Sequence, residues 1–478
     1  MTFYKSALLS LALSIGALGY SQNVTKDLEY GNQGFEMVKQ QMGLCKFEPL
    51  ESLVTKLGNK LVGQLETPLF EYEFYLVDTP EPNAFALPGG KIFVTRGLLA
   101  LPLTEDELAG VMGHEIIHSN NRHGVKTSAG SVFGTIISIP GVIVGGIFGG
   151  PIGQVVASPF LAGNELLQAD YSRGNEKEAD KEGTALAAKA GYQSLQLANI
   201  LKRLSLEAEM LTGESEEKSY FASHPFTPDR VKDITKHSTK NIQAPASPIL
   251  KPKEFLYAFD GLNIGNNPEY GYVHEGVFYH PTDLYSFRLA KDWQTAITPA
   301  SLSIGSEDGE AILSFMVEED TMTFKHYLDS FEKAMLEQSR VKPSSKEYFE
   351  WYGHKGEVIE YTSNSNDQVV KFKLIAVDYG KGKVFKIAAL YAESSEKKVN
   401  GLLEQAKPVT SSSLPKTSVP SIKIVSAKEG ESLQAIIDRT ESKEYANLVV
   451  ILNEKALSSK FKEGEIVKTV VNKPFSFK

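Results

Sequence analysis

Two histidines four residues apart, His114 and His118, lie in the segment GVMGHEIIHSNNRHG over 110–124, and Glu115 directly follows the first. On an α-helix, positions i and i+4 share one face a turn apart, so both imidazoles can reach a single ion. Zn²⁺ takes nitrogen and oxygen donors in a tetrahedron and, where it catalyses, keeps one position open. Glu115 falls on the adjoining face, where it can take a proton from water whose pKa the ion lowers to roughly 7. That is hydrolytic chemistry. The same spacing also arises by accident on an amphipathic helix, so it needs a third donor elsewhere in the chain.

YSRGNEKEAD, at 171–180, offers one. Glu176 on a second helix can complete a two-histidine, one-glutamate site. Asp180, four residues on, can accept a hydrogen bond from a ligand imidazole's outer nitrogen and so set its tautomer. An acidic run of this kind by itself reads as a solvated helix face. Its pairing with the histidine motif favours the metal reading.

Each of these residues needs an element to hold it. Thr104 and Glu107 have capping-box spacing and open a helix that carries both histidines. Leu50, Leu53, Val54, Leu57, Leu61 and Val62 recur at three- and four-residue steps, one apolar helical face. Tyr72, Phe74 and Leu76 alternate as a strand, and KIFVTRG reads as a second strand joined to it by a Pro/Gly turn. A peptide could be held extended by pairing along an exposed strand edge, largely regardless of its sequence. Asn83, Ala84 and Phe85 are the candidates for that rail, with Gly89 and Gly90 in the adjoining turn. A purely structural hairpin is the other reading of 83–97.

Together GHEIIHSNNRH, SRGNEKEAD and NAFALPGGKIFVTRGLL resemble the HtpX and CAAX-prenyl-protease-type zinc metallopeptidase family within the gluzincins, and more closely its soluble exported, BepA-like branch. The likeness covers about residues 30–240. It implies one zinc ion per chain on His114, His118 and Glu176, Glu115 as catalytic base, and Asp180 behind a ligand. ASHPFTPDRV adds His224 and Arg230. In that branch a histidine in this His-Pro setting approaches the metal and holds the enzyme latent, while the arginine lies near the site. A loop-start histidine beside Pro225 is the plainer reading of His224. His123 reads as a helix-end histidine meeting the dipole. The typical member of the branch ends in helical repeats; this chain departs from it there, so that protein's partner-binding habits are not carried over.

The 478 residues are 42% hydrophobic and 23% charged, with formal charge −9 and pI near 5.7. That describes a soluble globular chain of about two to four domains, without the basic stripe a nucleic-acid partner needs. Lone Cys45 forms no internal disulfide. The start, MTFYKSALLSLALSIGALGYSQ, has one lysine, a short apolar middle and a small-residue exit, the pattern of a signal peptide over 1–21. Export to the periplasm or envelope follows from it. The expected fold is multidomain α+β. A mainly helical gluzincin metallopeptidase domain with a small sheet spans 22–245, followed by a linker over 246–264. An α+β accessory module spans 265–410, then a second linker 411–421 and a small LysM-like or capping unit over 422–478.

Thr127 to Asn164 carries no charge, and Pro140, Pro151 and two Gly pairs interrupt its apolar text. One straight membrane span is therefore disfavoured. Residues 129–163 read as an apolar hairpin or lid able to touch substrate or a membrane surface, or as a buried helical hairpin. The function the resemblance implies is cleavage of unfolded or misassembled envelope polypeptides, and a cell-wall or protein partner is expected for the C-terminal domains. The alternative is a latent or degenerate protease working as a chaperone-like or cell-wall-binding assembly module.

Overall fold

The computed structural model describes residues 24–126, 171–212, 220, 224, 228–238 and 248–477, apart from 292, 320–322, 340–341 and 366–367. The expected signal peptide and the apolar stretch 129–163 lie outside the described residues. Among those residues, no helix is long and apolar enough to cross a membrane.

The first domain opens with helices α1 (24–41) and α2 (Glu48–Val62), the latter turning Leu50, Leu53, Val54, Leu57 and Leu61 inward. Strands β1 (Glu73–Val77), β2 (Ala84–Leu87) and β3 (Lys91–Thr95) follow. The hairpin expected between the Tyr72 and KIFVTRG strands is not formed. β1 pairs with β3 in parallel, and the tight turn, with Gly89 at φ 80° and Gly90 at φ 87°, joins β2 to β3 instead. Left-handed backbone there favours glycine. The parallel register sets Tyr75 beside Phe93 on one face and Leu76 beside Val94 on the other. The order β1-β3-β2 leaves β2 at an edge.

Short α3 (Arg96–Ala100) leads to α4 (Glu105–Asn120), which is buried along almost its whole length. Thr104 caps α4 by accepting the Glu107 N–H at 3.3 Å. The return half of the box differs: Glu107 Oε2 takes the Leu103 N–H at 2.6 Å and both its oxygens bind Arg203. After α5 (His123–Lys126) come α6 (Arg173–Lys189), α7 (Gln196–Thr212) and α8 (Pro228–Ser238). α4 and α6 meet backbone to backbone. A Cβ on Gly183 would stand 2.9 Å from both Cα and N of His114, and one on Gly113 3.0 Å from Gly183 O. Only glycine at both positions allows that approach, and it brings α6 to the turn carrying His114.

The segment read as the 246–264 linker holds α9 (Pro252–Tyr257), with Phe255, Phe259 and Leu262 buried in the first domain's core. Likewise the 411–421 segment already begins strand β15. The tail runs β15 (Thr417–Ser426), α12 (Leu433–Arg439), α13 (Ala446–Asn453) and β16 (Ile466–Phe475), counting the accessory elements named below. Its Ile422, Leu433, Ile436, Val449, Leu452, Val467 and Val470 join the same core cluster. Buried Lys468 donates to Ala100 O at 2.8 Å and Pro102 O at 2.6 Å, and Arg203 reaches Glu454 at 2.7 Å. Apolar faces too small to stand alone are covered by this union.

Between them lies the accessory module. A four-stranded sheet is formed by β4 (Tyr272–His274), β5 (Val277–His280), β6 (Tyr285–Arg288) and β14 (Lys407–Pro408). A seven-stranded antiparallel sheet comprises β7 (Trp293–Ile297), β8 (Leu302–Ser306), β9 (Ala311–Glu319), β10 (Ser345–Trp351), β11 (His354–Ser365), β12 (Gln368–Gly380) and β13 (Lys383–Ala392). Helix α10 (Phe324–Ser339) covers one face through Leu328 and Met335, against Phe372, Leu374 and Leu390. The small sheet and α11 (Glu396–Leu403) cover the other, against Phe315, Phe385 and Ile387. Alternation along the strands accounts for both faces. The whole is multidomain α+β.

Candidate metal centre

His114 and His118 stand on α4, and the glycine crossing brings Glu176 and Asp180 of α6 against them. His114 Nε2 is 2.9 Å from His118 Nε2 and 3.6 Å from Glu176 Oε2. His118 Nε2 lies 3.1 Å from Glu176 Oε1. His224 Nδ1 enters the same space, 3.3 Å from His114 Nε2 and 3.0 Å from Glu176 Oε1. All four residues are buried. Bonds of about 2.0–2.1 Å in a tetrahedron put donors about 3.3 Å apart. The edges of this group, 2.9 to 3.6 Å, span that value. Imidazole nitrogens and a carboxylate facing one another so closely are a donor set that a divalent cation fits, and zinc's ligand chemistry is of this type.

The outer atoms are also held. Asp180 Oδ1 lies 3.0 Å from His114 Nδ1. Arg230 grips Asp180 with Nε at 2.9 Å and Nη2 at 2.8 Å, and its Nη1 is 3.0 Å from Glu176 Oε2. Arg230 therefore stands behind the carboxylates rather than in the donor gap. Glu115 is fully buried, with Oε1 3.4 Å from the Tyr220 hydroxyl and 3.5 Å from His224 Nε2.

These surroundings move the titrations apart. Burial pushes the Glu115 carboxyl up, against the lowering pull of His224 and His114. Burial alone would raise Glu176 as well, but the His224 and His114 charges and two imidazole hydrogen bonds hold it well below the usual carboxylate range. Burial and the neighbouring His114 keep His118 well below an ordinary histidine. For His114 burial is outweighed by the Asp180 hydrogen bond and the surrounding carboxylates, so it is raised. Two glutamates on one site, one raised and one lowered, is the arrangement that separates a proton acceptor from a permanent anion.

Asn83, Ala84 and Phe85 lie at the start of edge strand β2, all buried. Its free side is taken by the chain itself. Pro82 O accepts the Tyr220 N–H at 3.0 Å, and Ala86 O accepts the Tyr171 hydroxyl at 3.4 Å. Tyr220 stacks on His224, ring centroids 4.5 Å apart, and Tyr171 lies 3.9 Å from the His118 ring.

Two residues carry no signal in the sequence, and a third, His123, stands differently from its sequence expectation. Tyr220 precedes His224 by four residues, the same spacing that flagged His114 and His118, but tyrosine carries no ligand signal. Tyr171 opens the very segment that supplies Glu176. His123 does not simply meet a helix end: it is 1% exposed, with Nδ1 3.1 Å from His118 Nδ1. A five-residue step past a helix boundary is invisible to helical periodicity.

Donors from two helices around one gap, with a spare carboxylate beside them, define a metal-dependent hydrolase type of centre. Residues 49–238, which contain all of it, match the model of peptidase family M48. The chain is 24% identical over 218 residues to the beta-barrel assembly-enhancing protease of Escherichia coli K12, covering 45% of this chain and 44% of that protein. Identity to the mitochondrial metalloendopeptidase OMA1 of Saccharomyces cerevisiae is 28% over 225 residues, 44% of this chain and 63% of that one. A protease HtpX homolog of Arthrobacter is 34% identical over 164 residues, covering 31% and 54%. The chain spans about half the length of the curated relatives it matches.

Proposed function

We propose that this chain is an exported zinc-dependent endopeptidase that cuts unfolded or misassembled envelope polypeptides, and that its resting form is self-closed. The observation that carries the reading is the convergence of His114, His118 and Glu176 on one point, with Glu115 adjoining His114. Zinc held by those three residues would supply Lewis acidity and a water that ionises near pH 7. Asp180 takes the outer N–H of His114 and keeps Nε2 turned to the donor gap, while Arg230 fixes Asp180 from behind. Glu115, raised by burial, accepts a proton on a carboxylate oxygen and returns it to the leaving amine.

An extended substrate pairs with the outer side of β2 once Tyr220 and Tyr171 release the Pro82 and Ala86 carbonyls. The Asn83 amide, buried with neither atom hydrogen-bonded among the described residues, offers that substrate a donor and an acceptor. His224 withdraws in the same movement, because its N–H is bonded to Tyr220 O at 3.0 Å. Residues 1–21 direct export to the periplasm or envelope. Residues 129–163 are a candidate contact for substrate or a membrane surface, and the domains over 265–410 and 422–478 for a cell-wall or protein partner.

A second reading has its own support. His224 and Tyr220 close on both Glu115 and the strand edge, so a permanently latent protein would serve as a chaperone-like or cell-wall-binding module. Zinc content and casein cleavage separate the two. The wild type is expected to hold one zinc per chain. Glu115→Gln keeps the zinc and loses cleavage by about 10²–10⁴-fold, His118→Ala loses both, and His224→Ala cleaves faster than wild type. Casein cleavage by Glu115→Gln at the wild-type rate sinks the mechanism; no cleavage by any variant favours the second reading.

A further inference from the structure

The two helix-borne ligands are braced differently. His114 Nδ1 faces the Asp180 carboxylate at 3.0 Å. Among the described residues His118 Nδ1 faces no carboxylate but His123 Nδ1, at 3.1 Å. The two rings meet edge to face, 4.9 Å apart at 84°. His123 Nε2 in turn faces Glu178 Oε2 at 3.6 Å. Glu178 is not adrift: Asn121, which ends α4, donates its amide to Glu178 Oε1 at 2.9 Å and to Glu182 Oε2 at 2.8 Å. A line thus runs from His118 through His123 to Glu178, across the seam between the end of α4 and α6.

From this we infer that His123 is the positioning residue of His118, setting its tautomer and ring orientation as Asp180 does for His114. The inference rests on the peptidase reading above. The chemistry allows one proton arrangement. A neutral imidazole that presents Nε2 as a donor to a cation carries its proton on Nδ1. His118 Nδ1–H then donates to His123 Nδ1, which must be bare. The His123 proton consequently sits on Nε2, the atom turned toward Glu178. A helix-end role would need neither the burial nor this alignment. Arg122, just before it, holds a left-handed φ of 57° and pairs with buried Asp27, with Nη2 3.0 Å from Oδ1. That kink breaks the helix, and it turns the residue five places past His118 back onto that ligand.

The test is zinc affinity of the full chain, read by competition with a chromogenic chelator, beside the thermal midpoint of the zinc-free protein. His123→Ala is expected to weaken zinc binding by about 10- to 100-fold while the zinc-free midpoint stays close to wild type. His123→Asn keeps an acceptor near the Nδ1 position and is expected to recover most of the lost affinity; His123→Leu, which fills the space without an acceptor, is not. Wild-type affinity in the folded alanine variant overturns the inference, as does asparagine performing no better than leucine. If the wild type itself binds no zinc, the peptidase reading falls first and takes this inference with it, an outcome distinct from the other two.

Discussion

The first domain packs His114, Glu115, His118, Glu176, Asp180, His224 and Arg230 against one another in its interior, whereas the 265–410 module fills its interior with Phe278, Phe287, Phe315, Phe372 and Phe385. The module also buries Lys373 and Lys386, which reach Glu360 and Glu318 that keep partial contact with water, and Glu357, whose carboxyl that burial raises. Buried charge is costly unless every group is paired. The module pairs its buried lysines with carboxylates that water still reaches, and aromatic area supplies most of its interior. The first domain buries charge as isolated pairs too, such as Arg203–Glu107 and Arg96–Asp78, but at the metal centre seven ionisable groups crowd around a gap suited to a cation. A crowd of buried ionisable groups around one gap therefore marks the chemistry, whereas isolated buried pairs and aromatic area belong to the scaffold.

Three substitutions sharpen or break this contrast. The largest effect belongs to the scaffold. Phe315→Ala is expected to destabilise the module by about 3–5 kcal/mol in chemical denaturation, with zinc affinity unchanged. A parallel loss of zinc would mean that the two regions are not separate.

Glu207 on α7 is the next test, because it is a buried cost outside the site. Burial, with Glu81 nearby, pushes its carboxyl up from 4.5 to about 7, and one oxygen has no partner among the described residues. A carboxyl raised in the folded state favours folding less as pH climbs from 4.5 to 7, because the native form holds a proton that the unfolded chain has released. Glu207→Gln should therefore stabilise by roughly 2–3 kcal/mol above pH 7, and by little below pH 4.5. Thermal melts at pH 8 and pH 4 decide it; an equal shift at both would rule out titration as the cause.

The smallest change in stability is expected for Gly183→Ala. Its Cβ would press on the His114 backbone at 2.9 Å, an overpacking cost of about 1–3 kcal/mol. Zinc affinity should nevertheless fall at least about 10-fold, because α6 carries Glu176 and Asp180 outward together. A small destabilisation with full zinc affinity would show that the crossing is not what positions the site.

How much of this was legible beforehand differs residue by residue. His114, His118, Glu115 and the pair Glu176 and Asp180 announced themselves because helical spacing is local, and i, i+4 faces follow from the chain's geometry alone. The strand pairing was misjudged for the opposite reason. Alternation marked the strands at 72–76 and 91–95, but nothing local distinguishes a hairpin from a parallel pair with β2 looped to the far side. The segment with Phe255 and Phe259 passed as a linker since its Pro-containing text conceals that both rings end in the first domain's core. Tyr171 and Tyr220 are of a residue type that carries no ligand signal, and His123, just past the end of α4, reads locally as a helix end.

By itself, the order of residues determined the helices, their caps, the faces they bury and which side chains possess ligand chemistry, because each depends on neighbours within a turn or two. Only the tertiary structure decided that α4 and α6 touch through paired glycines, that the C-terminal hairpin closes on the first domain through Lys468, and that the chain's own tyrosines cover the edge of β2. Those contacts join residues tens to hundreds of positions apart, and their energies exist only once the whole interior has formed.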